Sequence, residues 1–403
     1  MKHFSLLRLF TIAAISFLSQ TGFSASWQVV DNYQYVLGKQ AYAVGLAKDP
    51  AGNLFAAGNA VDGGGSWHAL AMRSSDQGGT WSVVDDYINP AASTNQGPGY
   101  DGGITSDAAG NLYATGLDAL PGLIDNWFVR RSLDAGLTWT TVDSFTLGGA
   151  QAIPKALATD AAGNVYVVGT ANSAAPVTNY TVVRKGIPLG DGTMSWSTVD
   201  KIPVSSFSIG SSANSSMLVC HPSAGVFIAG STLVSAGKNG GQVSQWVIRR
   251  SANGGLTWTT ADAYQLDPTQ GAVAHGVGVD SFGNLYSMGS ANQHLKGKDI
   301  FHWIVRKSNN GGGSWTTVDD FLPSPFLTPS NFAADASGNL FVTSSIGLTR
   351  KNTGGTSAWV TVANGTTGNM KALLGDNLGN LFSAGQQYDA ANVYHWQVRK
   401  LVP

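Results

Sequence analysis

The stretch Asp107-Ala-Ala-Gly110-Asn111-Leu-Tyr113-Ala-Thr-Gly116 contains a tight turn followed by an apolar, β-prone segment. In the turn Asp-x-x-Gly-Asn, the aspartate can accept backbone amides and the glycine can adopt a positive φ, which is typical of a hairpin. The same turn recurs throughout the chain, with a histidine replacing the aspartate in one degenerate copy. Its seven copies begin at Asp49, Asp107, Asp160, His221, Asp280, Asp335 and Asp376.

Each copy of the repeat has room for four short strands. One strand precedes the turn and a second follows it. The third begins with an aromatic residue and ends with a base, as in Trp303-Ile-Val-Arg306. A second, glycine-rich turn from Ser308 to Trp315 leads into the fourth strand, which ends near Asp319. Repeats of this length with four strands each are typical of propeller blades.

The two ends of the chain complement each other. The last copy ends after its third strand, at Tyr394–Lys400, whereas Trp27-Gln-Val-Val-Asp31 is a fourth strand that no other three precede. Ring closure would pair these segments and remove the exposed sheet edges. The sequence therefore predicts an all-β, seven-bladed β-propeller over residues 25–403, with four-stranded blades and the N-terminal strand completing the last blade.

The first 24 residues have the pattern of a signal peptide. Lys2, His3 and Arg8 precede a short apolar segment from Leu9 to Leu18, which is too short to span a bilayer as a mature helix. We therefore expect residues 1–24 to be removed and the protein to be secreted or periplasmic. No membrane insertion is expected after that removal.

Composition excludes several classes of function. The formal net charge is -1, with 23 basic and 24 acidic residues, so no strong field exists to attract nucleic acid. All the acidic residues are aspartates, which removes any mechanism that needs a glutamate. The histidines are scattered and the turns lack the acidic density of a calcium loop, so neither a metal nor a cofactor is expected. The single cysteine, Cys220, is expected to be a small buried hydrophobe.

Two families share these motifs. The turn Asp-x-x-Gly-Asn-Leu/Val-Tyr/Phe-x-x-Gly resembles the repeat of bacterial seven-bladed (SBBP-type) propellers. The second turn resembles the Asp-box, or BNR repeat, of sialidase-like propellers, with the pattern Ser-x-Asp-x-Gly-x-Thr-Trp at Ser74–Trp81 and Ser132–Trp139. Both resemblances imply a propeller. Neither implies an activity, because Asp-boxes are folding turns in enzymes and in other proteins alike.

A sialidase would need three arginines around the substrate carboxylate, a tyrosine paired with a glutamate, and an aspartate as general acid. This chain has no glutamate, and its arginines lie at the ends of third strands, next to the second turn. We expect these arginines to pack their stems and bond turn carbonyls. A glycoside hydrolase that works through aspartates of different blades stays open as an alternative.

Residues that recur in every repeat maintain the fold, so a binding site is expected at positions where the repeats differ. The position five residues before each anchor is variable and reads Val44, Gly102, Lys155, Ser216, His275, Ser330 and Lys371. We predict Lys155, His275 and Lys371, with the neighbouring Asp101, as ligand contacts in a central funnel. The alternative is that these side chains only solvate the channel mouth. The position three before the anchor is always apolar and is predicted to be core.

The entry of the third strand is a second candidate site. It pairs an aromatic residue with a polar one at Ser66-Trp67, Asn126-Trp127, Asn179-Tyr180, Gln245-Trp246, His302-Trp303 and His395-Trp396. Such pairs suit sugar stacking, and His302, Trp303, His395 and Trp396 are therefore candidate contacts. Because the pair recurs in most blades, packing between blades is the alternative interpretation.

These features favour a secreted, monomeric, non-catalytic propeller that binds carbohydrate or another extracellular surface protein through its loop-rich face. The alternative is a divergent sialidase-like glycoside hydrolase that uses aspartates. A structural component of an envelope or matrix is a third possibility.

Overall fold

The computed structural model describes residues 25–89, 99–120, 124–210, 215–237, 240–324, 326–355, 358–365 and 368–403. The predicted signal peptide, residues 1–24, lies outside these residues and stays a prediction. Within the described chain there are seven antiparallel sheets of four strands each, together with one short 3-10 helix at Ser215–Met217. The predicted all-β, seven-bladed propeller is confirmed.

Each blade is one sheet, and its strands follow the chain outward from the centre. Blade 1 contains β2 (Ala41–Lys48), β3 (Leu54–Val61), β4 (Trp67–Ser74) and β5 (Ser82–Tyr87). Blade 2 contains β6 (Gly99–Ser106), β7 (Leu112–Leu120), β8 (Ile124–Ser132) and β9 (Thr140–Phe145). Blade 3 contains β10 (Ala152–Thr159), β11 (Val165–Asn172), β12 (Asn179–Pro188) and β13 (Met194–Pro203). Blade 4 contains β14 (Leu218–His221), β15 (Gly225–Ser235), β16 (Gln242–Ser251) and β17 (Thr259–Tyr264).

The remaining three blades complete the ring. Blade 5 contains β18 (Ala272–Val279), β19 (Leu285–Leu295), β20 (Lys298–Ser308) and β21 (Thr316–Phe321). Blade 6 contains β22 (Pro329–Ala334), β23 (Leu340–Ser344), β24 (Leu348–Asn352) and β25 (Val360–Asn364). Blade 7 contains β26 (Asn369–Gly375), β27 (Leu381–Tyr388), β28 (Tyr394–Val402) and, as its outer strand, β1 (Ser26–Tyr33).

The chain closes its own ring through β1, which pairs antiparallel with β28 from Ser26–Val402 to Tyr33–Trp396. The first strands of successive blades contact one another around the axis, and β26 contacts β2 to complete the circle. Closure covers sheet edges that an open array would leave free. The predicted role of the N-terminal strand is therefore seen directly.

The Asp-x-x-Gly-Asn turns owe their shape to the aspartate. In blade 1 the Asp49 carboxylate accepts the Asn53 backbone amide at 2.9 Å and its side-chain amide at 2.6 Å. Gly52 has a φ of 88°, a conformation that favours glycine. In blade 4 the imidazole of His221 takes over part of this role, since its Nδ1 accepts the amides of Ser223 and Ala224 at 3.1 and 3.0 Å.

Tryptophans pack one blade against the next. Trp396 of blade 7 is fully buried and lies against Gly58 of blade 1, where an added Cβ would come within 2.7 Å of the indole ring. Trp127 lies in the same way against Gly169 of the following blade. The glycine is needed because the indole occupies the space of its side chain.

A second contact between blades is an ion pair. In blade 2, Arg130 Nε and Nη2 donate to the two carboxylate oxygens of Asp85 in blade 1, at 2.9 and 2.8 Å. Equivalent pairs join each of the next interfaces, as Arg184–Asp143, Arg249–Asp200, Arg306–Asp262 and Arg350–Asp319. Each of these five arginines thus pairs with an aspartate that ends the preceding blade, a partner that the sequence did not indicate. The expected bonds to turn carbonyls also form, from Arg130, Arg306 and Arg350 to the carbonyls of Trp139, Trp315 and Trp359. Arg131 and Arg250 do bond turn carbonyls, those of Gly192 and Ala224.

Candidate functional site

The variable position of the first strands coincides with a β-bulge. The pairing of the first and second strands shifts register at Val44, Lys155, His275, Ser330 and Lys371. In blade 2 the shift lies between Gly99 and Gly103 and includes Asp101. A bulge leaves one residue without a partner and turns its side chain out of the regular alternation. These residues therefore differ from blade to blade without disturbing the ladder beside them.

Four of the bulge residues, Val44, Asp101, Lys155 and Lys371, line one cleft, which we name the entrance cleft. It lies where the first strands of blades 1, 2, 3 and 7 begin, and its volume is ≈ 540 Å³, within the range of small-molecule sites. Its lining consists of Gln40, Tyr42, Val44, Trp67, Asp101, Leu117, Ile153, Lys155, Lys371, Gln386 and Tyr394. The structure thus brings Asp101, Lys155 and Lys371 together, as the sequence predicted for a funnel.

The lining of the entrance cleft includes three charged side chains, Asp101, Lys155 and Lys371. Asn59 Nδ2 donates to Asp101 Oδ1 at 3.0 Å and holds this carboxyl in place. Burial raises the pKa of Asp101, although the hydrogen bond from Asn59 and the charges of Lys155 and Lys371 oppose that rise. Burial also lowers the pKa of Lys155; the Asp101 carboxylate opposes this effect, while Lys371 adds to it. The three groups are therefore electrostatically coupled.

Aromatic rings form another part of the entrance cleft. The Tyr42 ring lies edge-on to Trp67, with 5.6 Å between centroids, and edge-on to Tyr394, with 6.4 Å between centroids. Tyr394 in turn packs on Tyr388 at 3.9 Å. All three lining rings are only partly buried. We name Tyr42, Trp67 and Tyr394 the aromatic wall, and it offers ring surface to a ligand.

Trp67 lies at the entry of a third strand, as predicted, but it does not occupy the same position in the strand as Trp127, Trp303 and Trp396. Trp67 pairs with Val61 at the open end of its strand, where Tyr394 pairs with Tyr388 in blade 7. The buried place filled elsewhere by tryptophan, as by Trp127, is taken in blade 1 by Ala69. A shift of two residues keeps a side chain on the same face of a strand. Trp67 therefore reaches the cleft, whereas Trp127 is buried between blades.

The other candidate residues lie away from the entrance cleft. Trp303 and Trp396 are both 0% exposed and belong to separate core clusters, so neither indole presents a face to a ligand. His302 is buried, with Nδ1 2.7 Å from Asp320 Oδ1, and His395 Nε2 lies 3.2 Å from Asp389 Oδ2.

His275 belongs to blade 5 and is not part of the lining of the entrance cleft. Its Nε2 lies 3.0 Å from Ser290 Oγ, and burial lowers its pKa to about 4. It is therefore a neutral imidazole at neutral pH. The candidate site thus contains three of the predicted contacts, Asp101, Lys155 and Lys371. The rings of Tyr42 and Tyr394 had no repeat signal that could have identified them.

Residues from all seven blades line the axial channel, which has a volume of ≈ 310 Å³. The apolar residues predicted as core, three before each anchor, line this channel as Leu46, Ile104, Leu157, Leu218, Val277, Phe332 and Leu373. Six of them are at most 7% exposed and Phe332 is partly buried, and Lys48, Thr105 and Ser216 also line the channel. The channel lining is thus mostly apolar, whereas the lining of the entrance cleft contains three charged side chains.

A chain of hydrogen bonds joins the blades of the entrance cleft at the far ends of their first strands. Lys48 Nζ donates to Gly375 O at 2.8 Å, Ser106 Oγ to Lys48 O at 2.6 Å, and Thr159 Oγ1 to Ser106 O at 2.8 Å. These bonds link blades 7, 1, 2 and 3. The equivalent residue of blade 4 is Cys220, one before the anchor at His221. These hydrogen bonds therefore connect the four blades that form the entrance cleft, at the ends of their first strands opposite the cleft.

The glycine-rich second turns lie at the end of the blades opposite the entrance cleft. In blade 1, Gly78 N donates to Ser74 Oγ at 2.9 Å and Thr80 N to Asp76 Oδ1 at 2.8 Å. Hydrogen bonds from the hydroxyl and then the amide of Thr80 lower the pKa of Asp76 to about 2. Because the aspartate is engaged by its own turn, it is a poor candidate for acid-base chemistry.

Two further properties concern the described residues. No three histidine, cysteine or aspartate side chains of that part of the chain are grouped as metal ligands would be. Nor does any helix found there have the length and apolar character needed to cross a membrane.

Residues 146–174, which span the start of blade 3, match a family model described as a beta-propeller repeat (SBBP). The chain carries a propeller repeat. This match confirms the resemblance to SBBP-type propellers that the Asp-x-x-Gly-Asn turns indicated. No curated protein sequence matches the chain.

Solved structures share the fold at low identity. An α-L-arabinofuranosidase of Fusarium graminearum, in complex with arabinobiose, is 14% identical with a TM-score of 0.53, covering 94% of this chain and 97% of its own. A fungal alcohol oxidase in complex with copper is 12% identical with a TM-score of 0.55, covering 94% and 76%. YCF48 bound to a D1 peptide is 12% identical with a TM-score of 0.51, covering 94% and 98%. Such identities establish the fold and leave function to the site.

Proposed function

We propose that this protein is a carbohydrate-binding propeller whose site is the entrance cleft. The observation that carries the proposal is the aromatic wall of Tyr42, Trp67 and Tyr394 in the same cleft as Asp101 and Lys371. The apolar faces of sugar rings stack on aromatic side chains, while their hydroxyls need charged or amide partners. The entrance cleft combines both kinds of group within one concave volume.

The hydrogen-bonding groups suit hydroxyls that both donate and accept. Asp101 is fixed by Asn59 through one carboxylate oxygen, and the lysine ammonium groups can donate to sugar oxygens. Gln40 and Gln386 add amides that can do either. A site with so many convergent polar groups is better suited to a polyhydroxylated ligand than to an apolar one.

Two independent features are consistent with this proposal. The predicted signal peptide would deliver the protein to a secreted or periplasmic location, where glycans are abundant ligands. The similar arabinofuranosidase structure is a complex with arabinobiose, so a propeller of this kind can present a saccharide site. The fold likeness is too distant to carry over that ligand, and the proposal depends on the entrance cleft itself.

A glycan array tests the proposal with three proteins. Wild-type protein is expected to bind a defined group of glycans, and Trp67→Ala is expected to lose most of that signal. Phe282→Ala is the matched control. Phe282 is an aromatic residue that is 71% exposed, and it lies in a turn of blade 5 at the end of the propeller opposite the entrance cleft. Equal loss in both variants, or no glycan bound by the wild type, would refute the proposal.

The second candidate function is glycoside hydrolysis through aspartates. It is favoured by the raised pKa of Asp101, to which burial contributes most and the charge of Asp125 adds. A carboxyl with a raised pKa can act as general acid. The test is release of reducing sugar from the array hits by wild type and by Asp101→Asn. Turnover lost in the variant, with binding kept, would establish an enzyme, and unchanged glycans would exclude this candidate.

A further inference from the structure

The entrance cleft contains more positive than negative charge among its lining residues. Lys155 and Lys371 come from blades 3 and 7, and Asp101 from blade 2 is the one carboxylate in the lining. Asp125 acts on Asp101 from outside the lining, and its carboxylate accepts a hydrogen bond from Gln151 Nε2. Two ammonium groups that face one cavity repel each other, and this repulsion grows as water is displaced.

From this charge distribution we infer that the entrance cleft selects an acidic saccharide, such as a uronate-containing glycan, whose carboxylate lies between Lys155 and Lys371. This inference rests on the proposed carbohydrate site and specifies its ligand class. The sugar ring would stack on the aromatic wall, and its hydroxyls would donate to Asp101 Oδ2, the carboxylate oxygen that does not accept from Asn59. The lysines and the wall belong to one cleft, so one monosaccharide unit can contact both.

Electrostatics favour an anion over a neutral sugar. Lys155 is partly buried, and desolvation and the charge of Lys371 disfavour its charged form, while the single Asp101 carboxylate opposes both effects. A ligand carboxylate would replace lost solvation and offset the repulsion between the two lysines. A neutral sugar would displace water from both ammonium groups and accept hydrogen bonds from them, but it would bring no negative charge to offset their mutual repulsion.

The two lysines occupy bulge positions, where the residue type can change with little effect on the sheet. Lys155 and Lys371 are the bulge residues of β10 and β26, and the corresponding residue of β2 is Val44. Because a bulge residue lies outside the regular ladder, a lysine there costs little in sheet pairing. The charge of the cleft is therefore set by positions that the fold leaves variable.

The experiment compares ligands that differ only in charge. Oligogalacturonates and their carboxyl-reduced counterparts are titrated into wild-type protein by calorimetry, at low and at high salt. We expect the acidic oligomers to bind about tenfold more tightly or better. We expect this preference to shrink as salt screens the charges.

Substitutions then assign the preference to the two lysines. Lys371→Met and, separately, Lys155→Met should each weaken binding of the acidic oligomers more than binding of the neutral ones, and so remove most of the preference. Lys351→Met is the control, since Lys351 lies on a third strand over Phe341, at 5.5 Å from that ring. Thermal unfolding checks that each variant is folded.

The outcomes separate this inference from the proposed function. Equal affinity for acidic and neutral oligomers, or a preference that survives both lysine substitutions, would overturn the inference and leave carbohydrate binding intact. Binding of neither oligomer, together with a blank glycan array, would overturn the proposed function as well.

Discussion

Replacing aspartate by asparagine should change the free energy of unfolding in opposite directions at two equivalent positions of the ring, Asp85 and Asp31. Asp85 and Asp31 both lie two places before the last paired residue of a fourth strand, opposite Ala71 and Val398 respectively. Asp85 pairs with Arg130 of the next blade. At the place of that arginine, blade 1 has the buried Met72, so Asp31 has no ion-pair partner among the described residues. We expect Asp85→Asn to destabilise the protein and Asp31→Asn to stabilise it.

The expected magnitudes follow from burial and charge. Asp85→Asn leaves the buried guanidinium of Arg130 without its counterion, which costs about 3–5 kcal/mol. Burial raises the pKa of Asp31 from 3.8 to about 6. Each pKa unit corresponds to about 1.4 kcal/mol, and because Asp31 keeps part of its solvent contact, we reduce the product to about 1–2 kcal/mol for Asp31→Asn.

The stabilisation by Asp31→Asn should depend on pH. A carboxyl whose pKa is higher in the folded than in the unfolded state holds its proton more tightly when folded, so its contribution to stability falls as pH rises through that interval. For Asp31 the interval runs from 3.8 to about 6. The variant should therefore be more stable than wild type at neutral pH, and the difference should vanish near pH 4.

Urea unfolding at about pH 7.5 and about pH 4 measures both effects. If Asp31→Asn lowers the free energy of unfolding at neutral pH as Asp85→Asn does, the account of the closing blade is refuted. The same holds if the gain persists unchanged at the acidic pH.

Packing and charge lead us to expect two further changes in stability and one limit on thiol reactivity. Arg399 occupies the position of the ion-paired arginines, the preceding blade has Ala363 at the position of the paired aspartates, and burial lowers the pKa of Arg399 to about 10. Ala363→Asp should therefore raise the free energy of unfolding by about 1–3 kcal/mol in urea titrations. An added Cβ at Gly58 would lie 2.1 Å from Tyr42 O, so Gly58→Ala should cost about 1–3 kcal/mol, whereas Gly63→Ala, with open space around it, should be neutral. Burial raises the pKa of the Cys220 thiol, so iodoacetamide should label it only in denaturant, and rapid labelling of folded protein would contradict this.

The fold could be predicted from the sequence because the same four-strand pattern recurs in seven copies. Each Asp-x-x-Gly-Asn turn fixes a hairpin through local hydrogen bonds, such as those from Asn53 to Asp49, and local rules transfer from copy to copy. The complementary ends of the chain then required closure, and β1 pairs with β28 as expected.

Contacts between blades were harder to predict because they join residues far apart in sequence. Arg130 and Asp85 occupy recurring positions, but nothing local indicates that one blade's base faces the preceding blade's acid. Among the described residues neither Asp31 nor Arg399 has an ion-pair partner, and this becomes visible only when all the interfaces are compared. Both residues belong to blade 7, which the two chain ends share.

The candidate site was predicted in part. The variable position before each anchor identified Lys155 and Lys371, because a residue that differs between repeats is released from the shared packing. Sequence could not show that the position is a bulge, nor which blades' side chains would meet. Nor could it show that Trp67 occupies a different position from Trp127, because a shift of two residues leaves the alternation of a strand unchanged.

The most direct test of carbohydrate binding in the entrance cleft is a crystal structure of the protein with an oligosaccharide from the array. We predict a sugar ring stacked on the wall formed by Tyr42, Trp67 and Tyr394, with polar contacts to Lys371 and Asp101. Density for the saccharide elsewhere, for example in the groove between the turns around His221 and Phe282, with the entrance cleft empty, would contradict the account.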